Sequence, residues 1–369
     1  MAAATRLFDV VPLLETDFRV QLTFTVPHTT DTWHGLDDYV HGQGGLFLPW
    51  AQAIHHQWDL ILTASHRHIT ELHGPLLILS HGAGVLMSRR YSRKAGTADR
   101  PTTGLDRELL TYRGRVVPEV IALAHGDELR ALEELCPEAL PKALVAGDIC
   151  LDRMLASLPY RRHYRNALGL ADGQALVTLS STWSPESLFG RMPGLARKVM
   201  DEFPGHKVAF VLHPQAWAVH GARQIKSWLS DCLRNGLLLI PPEEGWRATM
   251  IASDWVLGDH GSTTTYAAAV GCPVTMATCP GANIRPGSLA DIVRRHAPRL
   301  RGDQPLGPQM HRARSQANLR HLVSPAVSSR PGRTATILRS AMYHLLNLPA
   351  PACGITATSV PLPRPCKDL

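Results

Sequence analysis

The chain has 369 residues, 44% of them hydrophobic and 19% charged; this is a packed globular composition that excludes wholesale disorder, and the length implies two domains rather than one core. No apolar run reaches the roughly 18 residues a membrane span needs, and no apolar segment follows residues 1–6 as in a secretory signal, so the expected location is the cytoplasm. The net charge is +7 and aromatics are only 6%; the arginines are not interleaved with aromatics, which argues against a nucleic-acid partner.

In the first half, short apolar runs alternate with helical stretches. Residues 19–26 alternate and carry β-formers; residues 58–64 (WDLILTA), 75–80 (PLLILS), 117–124 (VPEVIALA) and 143–146 are apolar runs ending at polar loops. Residues 127–135 between them repeat apolar positions at three and four, the helical spacing. Continuous apolar strands separated by helices predict a parallel sheet buried on both faces.

The second half repeats this scheme. Strands are expected at 175–180, 206–212, 237–240, 254–257 and 273–277, with helices at 194–203, 222–234, 244–252 and 262–270. That order is doubly wound. The expected organisation is an N-terminal Rossmann-like acceptor domain (1–150), a helical linker (151–173), a C-terminal Rossmann-like nucleotide-donor domain (174–347) and a disordered Pro-rich tail (348–369).

The seven cysteines are odd in number and form no Cys-x-x-Cys pair. They read as reduced, mostly buried thiols, and no metal site is expected. Many arginines lie in the last third, among them Arg294, Arg295, Arg299, Arg301, Arg312 and Arg314. They are either solvated helix faces or partners for an anionic acceptor or surface.

Ligands of open parallel sheets bind beyond the carboxyl ends of the strands, so the residues that follow each strand are the candidates. Gly258, Asp259, His260, Gly261, Ser262, Thr263 and Thr264 form a tight turn that opens a helix. The free N–H groups of a helix start, with hydroxyls, suit a diphosphate; Ser262 or Thr263 would serve equally as an N-cap. His213 ends a strand before Pro214 and is placed to donate to a phosphate. His81, in a Gly-rich turn of the first half, is a candidate general base that would face the second half if the domains close over one ligand. Ser181 and Thr182 form a phosphate-binding or capping loop, and Glu243 and Glu244 either hold a ribose hydroxyl or cap a helix.

A His-Gly turn, a Gly-Asp-x-x-x-Asp joint, a Thr-Trp loop, a strand ending in His-Pro, and Asp-x-x-Ser opening a helix before Gly-x-Pro-Val follow one another across residues 76–277. This series resembles the GT-B superfamily, most nearly the CDP-glycerol glycerophosphotransferases of teichoic acid synthesis. UDP-N-acetylglucosamine 2-epimerases and cytidylyl-sugar sialyltransferases are more distant. The resemblance implies a GT-B-like α/β fold: two doubly wound Rossmann-like domains with a cleft between them. It implies His81 as base, His213 at the donor phosphates, Ser262 as the second serine of a phosphate-binding pair, and Thr182 with Trp183 in the loop after the second domain's first strand. Where the glycerophosphotransferases place an acidic residue on the helix after the serines, this chain has Tyr266, so the donor is not fixed. Thr32-Trp33-His34-Gly35 also mimics a Trp-His-Gly signature, with His34 an acceptor-loop candidate.

The leading expectation is a metal-independent transferase with Asp259, His81 and His213 in catalysis, no separate cofactor, and a CDP- or UDP-linked donor as substrate. The acceptor is unknown and oligomerisation is left open. The alternatives are a nucleotide-sugar epimerase or hydrolase, which needs carboxylates in the cleft, and a non-catalytic nucleotide-binding protein.

Overall fold

The computed structural model describes residues 1–27, 35–84, 104–279, 284, 286–315 and 319–366. The chain divides into two compact units. Unit 1 comprises Met1–Asp152 with Val327–Thr358, and unit 2 comprises Arg153–Ala326 with Ser359–Leu369.

Unit 1 opens with the helix Ala2–Val10. Two short strands, β1 (Thr23–Phe24) and β2 (Leu46–Phe47), then pair in parallel. The strand expected over 19–26 shrinks to β1 because Asp17 accepts from both the amide and the guanidinium of Arg19, which holds a turn there. The main sheet is β3 (Ile61–Thr63), β4 (Leu76–Leu79), β7 (Val120–Leu123) and β8 (Ala143–Val145), all parallel and in that spatial order. The hairpin of β5 (Thr111–Tyr112) and β6 (Arg115–Val116) stands apart. Every residue of β4 is buried. Alternation along the strand sends Leu77 and Leu79 to one face, with Val10, Leu14, Leu338 and Met342. Leu76 and Ile78 go to the other, with Leu132 of the Asp127–Leu135 helix. A strand buried on both sides has no polar positions to alternate, which explains the continuous apolar runs.

Unit 2 holds five parallel strands: β9 (Leu176–Ser181), β10 (Lys207–Leu212), β11 (Leu238–Ile240), β12 (Trp255–Gly258) and β13 (Val274–Met276), in the order β11-β10-β9-β12-β13. The order reverses between β9 and β12, and the loops after these strands part to opposite sides. Trp255 is fully buried and its indole N–H donates to Thr275 Oγ1 at 2.9 Å. The helix expected over 222–234 instead starts at Pro214, turns at Gly221 (φ 74) and ends at Trp228; Ser230–Arg234 follows separately. Proline at the first helical position, with the His213 ring accepting from Gln215 N, sets that earlier start.

The contiguous domain limits expected from sequence differ from these units. The Thr334–Leu345 helix packs in the unit 1 core, where Tyr343 OH donates to Asp17. The helix Arg161–Ala167, placed in a linker by the sequence, belongs to unit 2, where Arg161 and Arg165 both bind Asp254. The tail over residues 349–366 is held by specific contacts where it was expected to be disordered. Val360 is buried, its N–H donates to Ser157 Oγ and its C=O accepts from Tyr164 OH, both at 2.9 Å. Cys366 N–H then bonds Leu239 C=O on the edge strand β11. Proline-rich chain without periodicity can still be fixed by anchors of this kind.

Candidate active site

The turn after β12 lies at the point where the strand order of unit 2 reverses. Asp259 is 1% exposed. Its Oδ2 accepts from Thr182 N (2.8 Å), Thr182 Oγ1 (2.8 Å) and Leu188 N (3.0 Å), and its Oδ1 accepts from Gly261 N (3.1 Å). The carboxylate thus ties the loop after β9 to the turn after β12. Both oxygens of Asp259 accept hydrogen bonds that hold the crevice together. Ser181 is likewise committed, donating to Thr182 O and accepting from Phe189 N, both at 2.9 Å. Thr182 and Ser181 therefore shape the loop, with both hydroxyl protons donated inside the crevice. Trp183 is exposed.

Two glycines permit the turn. A Cβ at Gly258 would lie 2.2 Å from Thr264 Oγ1, and one at Gly261 would lie 2.8 Å from Thr182 Cγ2. Gly261 precedes the helix Ser262–Ala269 without any side-chain cap. The first-turn N–H groups of such a helix have no carbonyl partner within it, and its dipole favours an anion. His260 Nδ1 and Thr264 Oγ1 at this end are buried with no hydrogen-bond partner among the described residues. Thr263 and Ser262 are half-buried at the same end. Tyr266 faces away into the core against Trp246, with ring centroids 5.6 Å apart.

His213 stands at the end of β10, whose Leu212 pairs with Ser181. Its Nδ1 accepts from Gln215 N at 3.0 Å, so the neutral ring carries its proton on Nε2, a donor. Beyond β11, the two glutamates differ. Glu244 is bound by the buried Arg247 and accepts from Gly245 N. Burial pushes the Glu243 carboxyl above the ordinary glutamate range, and it forms none of these contacts. The Arg247 ion pair thus distinguishes Glu244 from Glu243.

In unit 1, His81 follows β4. Its Nδ1 lies 3.2 Å from Ala64 C=O, which can only accept, so the neutral ring keeps a lone pair on Nε2, the reverse of His213. Beside the same sheet end, His66 is pushed below the ordinary histidine range by burial, and its Nε2 donates to Gly104 C=O at 3.0 Å. The His81 turn is held by Arg6, which sequence reasoning missed: its Nη2 donates to Gly82 C=O (3.2 Å) and its Nη1 pairs with Asp148 (3.3 Å). The available signal was a single arginine in a mostly apolar helical start. Asp148 also caps the following helix through Leu151 N, and Asp152 accepts from Gly332 N and Thr334 N. The Gly-Asp-x-x-x-Asp joint is thus structural in both of its acids. Thr32, Trp33 and His34 lie outside the described residues. Among the described residues no group of three or more His, Cys, Asp or Glu is placed to hold a metal, and no helix is long and apolar enough to cross a membrane.

No protein-family model matches the chain, and no curated protein matches it significantly in sequence. Solved structures do match it in fold. A structure of the wall teichoic acid polymerase TagF soaked with CDPG superposes with a TM-score of 0.62 at 10% identity, covering 92% of this chain and 85% of that chain. A variant of the same polymerase gives 0.57 at 10% identity, covering 93% of each. The chain therefore has a GT-B-like α/β fold with parallel, Rossmann-like sheets.

Proposed function

We propose that the chain is a transferase moving a glycosyl or glycerophosphate-type group from a nucleotide-activated donor, CDP- or UDP-linked, to an acceptor hydroxyl. The observation that carries this reading is the amino end of the Ser262–Ala269 helix. It opens at the strand-order reversal of unit 2, flanked by the unsatisfied His260 Nδ1 and Thr264 Oγ1. Buried polar atoms are nearly always bonded, and a diphosphate supplies acceptors and charge that suit a helix start.

The leaving phosphate gains charge as the bond to the transferred group breaks. The helix end and the Nε2–H of His213 are positioned to stabilise that charge in advance. They do so without a metal ion. Glu243 is the acceptor for a ribose hydroxyl, and the Asp259 bridge keeps the two crevice loops in register. In unit 1, His81 holds the tautomer that a base for the acceptor hydroxyl needs. The likeness of fold to a polymerase whose structure was soaked with CDPG supports a cytidylyl donor among the two.

The test is a thermal-shift and calorimetric screen of CMP, CDP, UDP and GDP, followed by turnover with the matching donor. A pyrimidine diphosphate should stabilise the protein, and His81→Ala should keep nucleotide binding while losing turnover. No stabilisation by any nucleotide at millimolar concentration overturns the donor site. Full activity of His81→Ala overturns the base, and rapid donor conversion without acceptor overturns transfer in favour of hydrolysis or epimerisation.

A further inference from the structure

Unit 2 has a second concave site at the other end of its sheet. A cavity of 360 Å³ opens among Leu158, Arg161, Met250, Val270, Cys272 and Arg314. Several of these residues lie just before β12 and β13, so the cavity sits at the amino ends of strands, whereas the crevice lies beyond their carboxyl ends. Its volume falls within the roughly 300–1,000 Å³ typical of small-molecule sites.

The walls are mainly apolar. Burial pushes the Cys272 thiol up to about 12, so the sulfur stays protonated and serves as wall rather than nucleophile. The charge is positive. Asp254 lies at the edge, but Arg161 Nη2 binds its Oδ1 at 2.7 Å and Arg165 Nη1 its Oδ2 at 2.9 Å, so one carboxylate faces two guanidinium groups. Arg161 is further fixed by the carbonyls of Ile251 and Ser253. Arg314 differs from both. Its side chain lines the cavity and makes no hydrogen bond or ion pair among the described residues. Its charge reaches Cys272, and it adds to burial in holding His206 below the ordinary histidine range.

The geometry points to a binding site for a small organic anion with an apolar body. The anionic head meets the Arg314 guanidinium, and the body lies against Leu158, Met250 and Val270. A carboxylate and a phosphate monoester share this chemistry. Two helices join the site to the crevice. The Trp246–Ala252 helix ends at the cavity and begins next to Glu243 and Glu244; the Ser262–Ala269 helix runs into Val270 at the cavity and begins at the crevice. An occupant therefore bears on the far ends of both helices that shape the crevice.

The experiment is calorimetric titration of the full chain with octanoate and with octyl phosphate, and needs no nucleotide, so it stands whatever the crevice binds. One equivalent per chain should bind, and the arm with the higher affinity identifies the head group. Acetate and octanol, lacking body or charge, should not compete. Arg314→Glu, at an exposed position, should weaken binding at least ten-fold, and Leu158→Trp should block it by filling the cavity. Arg314→Gln with an intermediate loss keeps the result readable if the tryptophan variant does not fold. Absence of binding by both probes, or unchanged affinity in Arg314→Glu, overturns the site.

Discussion

Thr182 places both its amide N–H and its hydroxyl on one oxygen of Asp259, each at 2.8 Å. The same oxygen also accepts from Leu188 N. An amide at this position would turn one acceptor into a donor facing N–H groups. Asp259→Asn should therefore cost about 3 kcal/mol of stability, in line with breaking hydrogen bonds to a buried charge, and should abolish nucleotide binding. Denaturant unfolding and calorimetry check the two effects together; a variant as stable as the parent removes the tie.

Gly258 and Thr264 form a second such pair. Gly258→Ala should cost about 2 kcal/mol through overpacking, because the new methyl meets the Thr264 side chain at 2.2 Å. Thr264→Ala in that background should recover part of the loss, since it removes Oγ1 and Cγ2 but leaves Cβ at 2.9 Å. The double-mutant cycle reads the coupling; additivity of the two changes sinks this account.

His213 has two separable jobs. As N-cap it accepts from Gln215 N, so His213→Ala should lose about 1 kcal/mol of stability. His213→Asn keeps a capping acceptor but lacks the ring Nε2–H. It should fold like the parent and bind a nucleoside diphosphate roughly ten-fold more weakly, the factor expected for about 1.4 kcal/mol.

Glu243 supplies a pH dependence. Its folded pKa is raised by burial, so the protonated form is favoured in the folded state. That contribution is fully present below the unfolded value and is lost as pH rises through the folded one. Glu243→Gln, always neutral, should be more stable than the parent at pH 7, and the gap should close as pH falls towards 4. If Glu243 also holds the ribose, the same variant should bind nucleotide more weakly despite its greater stability. Melting curves across pH show the first effect, calorimetry the second.

Removing the chain after Thr358 should destabilise unit 2 by about 3 kcal/mol. The loss combines burial of Val360 with the two hydrogen bonds that its backbone makes to the Ser157 and Tyr164 hydroxyls. A truncated protein with the parent's unfolding midpoint rules this out.

The strand pattern of unit 2 was legible because strands buried on both faces announce themselves as apolar runs. β9, β10, β11 and β12 each lie within one residue of their expected limits. The Asp127–Leu135 helix was legible from its spacing. The placement of site residues was readable as well, since it follows from strand ends alone. Their roles were not. Sequence marks Asp259, Ser181 and Thr182 as polar residues at a strand end. Only the structure shows that they bond one another, because that pairing joins segments 77 residues apart. Glu243 and Glu244 could not be told apart either, since the difference lies in Arg247 turning back onto Glu244. Unit 1 was less legible because residues 327–358 return to it, and no local pattern records which sheet a distant helix joins.

That return has a consequence for synthesis. Unit 2 is almost complete once residue 326 has been made, while unit 1 still lacks the helix that covers Leu77 and Leu14. Unit 1 then leaves part of an apolar sheet face uncovered until residue 345 has emerged from the ribosome. The first half of the chain therefore waits for most of the second half before its core can close. A circularly permuted chain starting at residue 327 would present that helix first, and should shorten the interval during which the nascent protein needs a chaperone.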